Sequence, residues 1–141
     1  MLTISPILAY LDFTKPFILH TDASKNALGA VLSQKDDNGM ERVICYTSRT
    51  TNWHEQNYDS TQLECLAVYW AIKHFKEYLF GHFIVITDHK AFSYIFNNKD
   101  IYVQYSRWIM NLTGFDFNII HRAGKKHLNA NTLLRLRIEY K

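Results

Sequence analysis

Three acidic residues, Asp22, Glu64 and Asp88, are placed where a folded chain would bring them together. Asp22 and Asp88 each close a short apolar segment with the character of a strand, and Glu64 lies near the start of a helical segment between them. Buried carboxylates repel one another, and burying such a charge without a partner costs several kcal/mol. A divalent cation is the simplest compensation, because Mg²⁺ and Ca²⁺ prefer oxygen ligands. The three residues therefore suggest a metal site.

Structural roles are the alternative for the same residues. The run Thr61-Gln62-Leu63-Glu64 fits the T-x-x-E capping box, in which Glu64 would only bind a backbone amide at the start of a helix. Aspartates at strand ends often cap turns. Spacing by itself leaves the choice between a metal site and local caps open.

Other catalytic patterns are missing from the sequence. His54-Glu55 lacks the second histidine of a zinc-binding helix, because Tyr58 occupies that position. Neither of the glycine-rich phosphate-binding motifs occurs, and no serine lies in a nucleophile elbow. The three acids are thus the strongest candidates for chemistry.

The first elements that would position these acids are strands. Strand-like segments occupy residues 17–23, 26–34 and 42–47, with a polar stretch at residues 35–39, and together they predict an antiparallel meander. Residues 48–59 are polar and aromatic without a period, which is typical of a loop with short helical turns.

A long amphipathic helix is predicted next. From Leu63 onward the apolar residues recur at the spacing of one buried helical face, and the helix is expected to end near Gly81. At about 100° per residue, Glu64 points between the directions of Ala71 and Phe75, inside the apolar arc. A carboxylate aimed at the sheet in this way needs a partner.

The second half of the chain predicts a crossover. Residues 83–88 form an unbroken apolar run directly after a helix, as in a parallel strand covered on both faces. Helices are predicted at residues 90–97 and 104–112, a strand with one wet face at 115–119, and a last helix capped by Asn129 or Asn131. This order predicts a mixed α/β fold, with helices packed on one mixed sheet.

The composition is that of one compact domain. The 141 residues are 48% hydrophobic with only 2 Pro and 5 Gly, which excludes a disordered chain. The net charge of +3 allows a nucleic-acid ligand without requiring one. Cys45 and Cys65 are expected to be reduced, because two cysteines are too few to stabilise a small secreted domain and no segment before them resembles an export signal. No apolar run reaches the ~18 residues that cross a bilayer. An intracellular location is therefore expected.

Ordered sequence motifs carry a resemblance to a known family. They are Pro16-Phe17-Ile18-Leu19-His20-Thr21-Asp22-Ala23-Ser24, Tyr46-Thr47-Ser48-Arg49, Glu64-Cys65-Leu66-Ala67, Tyr78-Leu79-Phe80-Gly81, Thr87-Asp88-His89-Lys90-Ala91, Arg107-Trp108 and His121-Arg122-Ala123-Gly124-Lys125. Their order and intervals resemble those of the RNase H domain of reverse transcriptases in the Pol polyproteins of gypsy-type LTR retrotransposons. The resemblance implies an RNase H-like fold: three antiparallel meander strands, then two parallel strands, in one five-stranded mixed sheet with helices on both faces.

The activity that this resemblance implies is hydrolysis of the RNA strand of an RNA–DNA hybrid with two divalent ions, Mg²⁺ or alternatively Mn²⁺. Asp22 would bridge both ions, while Glu64 and Asp88 would hold the ion on the leaving-group side. The implied partners are the hybrid and the polymerase region of the same polyprotein. Residues 1–14 would be the tail of that region, residues 15–137 the nuclease domain and residues 138–141 a C-terminal tail. The location would be a cytoplasmic particle or the nucleus.

Residues that contact the nucleic acid are expected around the acids. Candidates near the substrate groove are Ser24, Thr61 and Lys90, each with a solvated surface role as the alternative. A basic cluster is expected to hold the phosphate backbone beside the acidic site. Its members are Arg122, Lys125, Lys126 and His127.

His121 matches the position of a mobile histidine in related nucleases, ten residues before Asn131, where it would assist proton handling or product release. It is expected in the loop after the last strand. The alternative is a solvent-facing histidine at a strand end.

One position departs from the family pattern. Family members usually have an aspartate in an Ala-Asp-Ala-Leu-Ser-Arg stretch, whereas this chain has Ala130-Asn131-Thr132-Leu133-Leu134-Arg135. Asn131 offers a neutral oxygen in place of the fourth carboxylate, and the sequence leaves open whether it is natural or engineered. Two function classes follow: a slowed endonuclease, or a lapsed module that binds hybrid or packs against a polymerase. A transposase or integrase of the same general fold would place its glutamate last, whereas here it comes second.

Overall fold

The computed structural model describes residues 11–88 and 103–122. Several predictions concern residues outside these ranges and stay predictions. They are the helix at residues 90–97, the last helix, and the candidate residues Lys90, Lys125, Lys126, His127 and Asn131.

Five strands and two α-helices make up the described part of the chain. In chain order they are β1 (Phe17–Ala23), β2 (Ala27–Lys35), β3 (Glu41–Thr50), a short 3₁₀ helix (Glu55–Asn57), α1 (Ser60–His74), β4 (Phe83–Thr87), α2 (Val103–Met110) and β5 (Phe117–His121).

The described strands form one sheet in the order β3-β2-β1-β4-β5. β2 pairs antiparallel with both β1 and β3, while β4 pairs parallel with both β1 and β5. The predicted five-stranded mixed sheet is therefore confirmed. Because β1 and β4 are parallel neighbours, their carboxyl ends lie at the same end of the sheet.

The core joins one face of the sheet to both helices. β1 and β4 contribute alternate residues, such as Leu19 and Val85. α1 contributes a buried face made of Cys65, Val68, Ala71 and Ile72, followed by Phe75 just beyond the helix. Burial of a large aliphatic or aromatic side chain stabilises a fold by about 1.5–3 kcal/mol. This packing holds α1 across the strand that carries Asp22.

The end of α1 differs from the prediction. The helix ends at His74, and not near Gly81. The chain continues in turns, in which the N–H of Tyr78 donates to the carbonyl oxygen of Phe75 at 2.9 Å. Since Phe75 and Leu79 are both buried in the core, their spacing suggests a helix although the helical hydrogen bonds have ended.

Several strand boundaries also differ. β1 has the predicted bounds and β2 is displaced by one residue, but β3 continues to Thr50, into the segment predicted as a loop. β5 lies two residues later than predicted, because its register follows β4, with Thr87 paired to His121. His121 is therefore the last residue of a strand, and its predicted loop position is wrong.

The two cysteines, Cys45 and Cys65, are free, as predicted, and both are buried. Burial raises the pKa of each thiol to about 12, so both remain protonated at neutral pH. Among the helices of the described part, none has the length and apolar character needed to cross a membrane.

Candidate metal centre

The two aspartates lie level with each other at one end of the sheet. Asp22 is the next-to-last residue of β1, and Asp88 directly follows the last residue of β4. In the parallel pairing of these strands His20 is opposite Ile86, so Asp22 and Asp88 are each two residues beyond a matched pair. The topology alone therefore brings them together.

Glu64 reaches the aspartates from α1, which packs against β1. Its side chain is buried, with 5% of the residue exposed. Asp22, Glu64 and Asp88, called the acidic cluster below, each offer a carboxylate oxygen, and these oxygens lie within 4.8 Å of one another. The three side chains converge as the sequence predicts, while their role as metal ligands stays a prediction.

The start of α1 is capped without Glu64. Asp59 is the N-cap, and its carboxylate accepts the N–H of Gln62 at 2.8 Å. The side-chain oxygen of Gln62 in turn accepts the N–H of Asp59 at 3.0 Å. The capping-box alternative for Glu64 is therefore wrong. The carboxylate of Glu64 lies in the acidic cluster instead.

Burial and mutual repulsion favour the protonated forms of Glu64 and Asp22. Burial, followed by the charges of Asp88 and Asp22, raises the pKa of Glu64 to about 8. Burial and the charge of Asp88 also raise the pKa of Asp22. Hydrogen bonds oppose these effects, from the Thr87 hydroxyl to Glu64 at 3.3 Å and from the Ala23 N–H to Asp22 at 3.0 Å. A cation at this site would therefore compete with protons.

The donor set fits a divalent cation that prefers oxygen ligands. The acidic cluster contains carboxylates alone, without the histidine or cysteine typical of zinc sites. None of the ion pairs found between described residues includes Asp22, Glu64 or Asp88. Three adjacent carboxylates without a basic partner in this part of the chain are what a hard cation such as Mg²⁺ would compensate.

Two of the predicted nucleic-acid contacts, Ser24 and Thr61, lie on elements that border the acidic cluster. Ser24 is exposed, and its hydroxyl closes the β1–β2 turn by donating to the carbonyl oxygen of Ala27 at 3.2 Å. Thr61 is half-buried in the first turn of α1, one turn before Glu64. Their roles in binding stay predictions.

His121 and Arg122 are exposed at the same end of the sheet. The N–H of Arg122 donates to the carbonyl oxygen of Thr87 at 2.9 Å, which places Arg122 beside the residue that precedes Asp88. The first member of the predicted basic cluster is therefore near the acidic cluster.

Two threonines beside the acids have no counterpart in the sequence-based list. Thr87 hydrogen-bonds Glu64, and Thr21 is fully buried with a hydroxyl that has no hydrogen-bond partner among the described residues. Strand alternation places them on the face that carries Leu19 and Val85. The sequence does contain a signal for both threonines. Each is a polar β-branched residue at a core-facing position of its strand, and each directly precedes an aspartate.

The mixed sheet, with carboxylates gathered at the ends of its central parallel strands, defines an RNase H-like domain. The family model described as the RNase H-like domain found in reverse transcriptase matches residues 12–115. The chain belongs to this family.

Curated relatives confirm the resemblance to gypsy-type elements. The chain is 43% identical over 135 residues to the retrovirus-related Pol polyprotein from transposon 297 of Drosophila melanogaster, covering 95% of this chain and 12% of the relative. It is 40% identical over 134 residues to the polyprotein from transposon opus of the same organism, covering 94% and 13%. It is 34% identical over 131 residues to the polyprotein from transposon gypsy of the same organism, covering 92% of this chain and 12% of the relative. The chain thus spans about an eighth of these relatives.

Solved structures share the fold at low identity. The foamy viral protease-reverse transcriptase in complex with dsDNA gives a TM-score of 0.64 at 14% identity, covering 81% of this chain and 25% of that one. LC11-RNase H1 in complex with RNA/DNA hybrid gives a TM-score of 0.61 at 14% identity, covering 83% and 92%. The second structure is almost entirely one domain of this fold.

Proposed function

We propose that the chain is the metal-dependent endonuclease domain of a retrotransposon reverse transcriptase, which hydrolyses the RNA strand of RNA–DNA hybrids. The observation that carries the proposal is the acidic cluster, three carboxylates with oxygens within 4.8 Å of one another in an RNase H-like domain. The RNA/DNA hybrid bound to LC11-RNase H1 supports the same class of ligand here.

Two divalent ions, Mg²⁺ or Mn²⁺, would be held by the carboxylates of Asp22, Glu64 and Asp88. When bound, such ions supply activation of the attacking water and stabilisation of the leaving oxygen. The chain's own contribution is to hold the ligands in place. Ala23 fixes the carboxylate of Asp22 through its N–H, and Thr87 fixes that of Glu64 through its hydroxyl.

Substrate binding is assigned to two groups of residues. Arg122, Lys125 and Lys126 would contact phosphates and offset the repulsion between the substrate and the carboxylates. Ser24, Thr61 and Lys90 would line the groove, where 2′-hydroxyl contacts and duplex shape distinguish hybrid from DNA.

A second function is favoured by one observation, the asparagine at position 131. Without a fourth carboxylate the chain would bind hybrid and leave it uncut, or serve as a structural part of a reverse transcriptase. We place the slowed endonuclease first, because Asp22, Glu64 and Asp88 already supply a formal charge of −3 on their own.

The polymerase region of the same polyprotein is the proposed protein partner, because the relatives are Pol polyproteins. The aromatic rings of Phe13 and Phe80 support a contact there. They are exposed, with centroids 6.3 Å apart, at the end of the sheet where β1 begins.

The test is cleavage of an end-labelled RNA–DNA hybrid with Mg²⁺ or Mn²⁺ and with EDTA. We expect metal-dependent cuts in the RNA strand, and at least a hundredfold loss with Asp88→Asn. Asp116→Asn is the matched control, because Asp116 is exposed before β5, at the opposite end of the sheet.

The outcomes separate the two functions. Binding of hybrid without cleavage at any metal concentration would favour the lapsed module. A chain that neither binds nor cleaves hybrid would contradict both.

A further inference from the structure

The loop between β3 and α1 is joined to the turn that follows Asp22. The N–H of Thr51 donates to the carbonyl oxygen of Asn26 at 3.0 Å, and its hydroxyl donates to that of Lys25 at 2.6 Å. Residues 24–26 and 51–58, called the platform below, therefore form one continuous surface. It lies at the end of the sheet that carries the acidic cluster.

The platform is held in a fixed shape by a partly buried ion pair. Arg49 donates two hydrogen bonds to the carboxylate of Glu55, at 2.9 and 2.8 Å. The same carboxylate accepts the N–H of Asn52 at 2.8 Å, and the Asn52 side chain accepts the N–H of Glu55 at 2.9 Å. Paired forks of this kind restrict geometry strongly, so the short segment between Asn52 and Glu55 is pre-organised.

Trp53 lies in the middle of this fixed segment and points its ring into solvent. It is 74% exposed, and its ring meets that of His54 edge to face, with centroids 5.0 Å apart. A tryptophan carries a large flat apolar surface, and such residues on rigid elements are typical of contact sites. The structure thus presents a stacking surface that the fold itself does not use.

The charge of the platform suits a polyanion. Glu55 is its one carboxylate, and that group is buried and neutralised by Arg49. None of the other side chains of the platform is acidic, and Lys25 adds a positive charge. The exposed ones are Ser24, Lys25, Asn26, Asn52, His54, Gln56 and Asn57.

The distance between the platform and the acidic cluster is one that a nucleic-acid duplex can span. Asp22 pairs with Gly29 on β2, and Gly29 pairs with Ser48 on β3. Ser48 lies two residues before the end of β3. The second segment of the platform, which follows β3, therefore begins roughly 7 Å further along the strands than Asp22 and about 10 Å to the side, or about 12 Å away in total. At 3.4 Å per nucleotide step, this is roughly four steps of a strand that passes over the acidic cluster.

We propose that the platform binds the RNA–DNA hybrid beside the cleavage site, with Trp53 packed against sugar and base edges about four steps from the acidic cluster. This inference rests on the proposed function. A protein partner is a poorer match for the platform, because the ring is surrounded by polar amides. The exposed pair Phe13 and Phe80, at the opposite end of the sheet, is the more apolar surface.

Affinity for a fluorescein-labelled hybrid, measured by polarisation with Ca²⁺ in place of Mg²⁺, tests the inference. We expect Trp53→Ala to weaken binding about tenfold, and Trp53→Tyr to stay within about threefold, because tyrosine keeps a ring that stacks. Phe80→Ala is the matched control, since Phe80 is equally exposed at 79%, and we expect a change below about twofold.

Salt dependence separates stacking from phosphate contact. The effect of Trp53→Ala should be the same factor at low and high salt, because stacking releases no counterions. Lys25→Ala should instead reduce the slope of log affinity against log salt by about one. Unchanged melting temperatures would show that the variants are folded.

Hybrid bound and cut normally by the Trp53→Ala chain would overturn the inference and leave the proposed function standing. Failure of the unmodified chain to bind hybrid would instead contradict the proposed function, and the inference with it.

Discussion

The hydroxyl of Thr87 donates a hydrogen bond to the buried carboxylate of Glu64, with 3.3 Å between Oγ1 and Oε2. The contact joins the last residue of β4 to α1, directly beside Asp88. It acts against burial and against the charges of Asp88 and Asp22, which together raise the pKa of Glu64 to about 8. Thr87 therefore favours the anionic form of Glu64, which is the form that can bind a cation.

Thr87→Val should weaken metal binding. Valine has nearly the same shape but no hydroxyl, and a lost hydrogen bond to a charged group at this length is worth about 1 kcal/mol, or about fivefold in affinity. Calorimetric titration with Mg²⁺ or Mn²⁺ measures the effect. Thr87→Ser keeps the hydroxyl and is the control. Equal affinities for Thr87→Val and the unmodified chain would remove this role from Thr87.

Glu64→Gln should stabilise the metal-free fold, and increasingly so as the pH rises. The pKa of Glu64 is about 8 in the folded chain against an ordinary 4.5, so the folded state holds this proton more tightly than the unfolded state does. Below pH 4.5 the group makes no difference, and between pH 4.5 and 8 it lowers stability progressively, by about 2–4 kcal/mol at pH 8.

Thermal unfolding in EDTA between pH 4 and 8 checks this sign. Glu77→Gln is the matched control, because Glu77 undergoes the same chemical change at an exposed position. Saturating Mg²⁺ should reverse the order of the melting temperatures, because a bound cation stabilises only the chain that retains its ligand. A melting-temperature difference that does not grow with pH would contradict the prediction.

The parts of the fold that local sequence patterns determine were predicted well. β1 was predicted with its observed bounds, because its apolar run ends at a turn that Ser24 closes. The end of α1 was not, because Leu79 is buried after the helical hydrogen bonds stop, and periodicity reports burial rather than hydrogen bonding. The register of β5 depends on its pairing with β4, which no local pattern contains.

The sequence predicted which residues form the acidic cluster, but it did not predict the hydrogen bonds that surround them. The helical direction of Glu64 and the strand ends at Asp22 and Asp88 were sufficient to predict convergence. The sequence interpretation considered only the capping box from Thr61 to Glu64, whereas the structure uses the one that begins with Asp59. The contact from Thr87 depends on how close α1 lies to β4, which only the packed structure defines.

Asn131→Asp should raise the rate of hybrid cleavage at least tenfold. The restored carboxylate changes the formal charge of the ligand set from −3 to −4, and the water-activating ion would be held more firmly. Each 1.4 kcal/mol of improved positioning is about tenfold in rate. Single-turnover cleavage at low and at saturating Mg²⁺ measures the effect. Since aspartate caps helices as well as asparagine does, equal rates under both conditions would exclude a missing ligand.

His121→Ala should reduce turnover several-fold and alter the pH profile of cleavage, because an exposed imidazole beside Thr87 and Asp88 could carry protons to or from the reaction. His82→Ala is the matched control, since His82 is also exposed but lies before β4, beside Asp116. An unchanged profile would make His121 an ordinary strand-end residue.

Hybrid affinity should fall with salt at a slope that corresponds to about two to four phosphate contacts. Arg122→Ala should reduce that slope by about one, because Arg122 is exposed beside the strand end that precedes Asp88. Lys76→Ala, beyond the far end of α1, should leave it unchanged. A slope near zero for the unmodified chain would leave the basic cluster as a solvated loop.

We expect the pairing of β1 with β4, and with it the acidic cluster, to form late in folding. The meander of β1 to β3 closes through short turns, whereas Phe17 meets Phe83 only after the intervening chain has closed a loop of more than sixty residues. In the native sheet this pairing is what places Asp22 beside Asp88. A nascent or partly folded chain therefore carries its three carboxylates apart, and the capacity to concentrate a cation arises together with the cooperative native state.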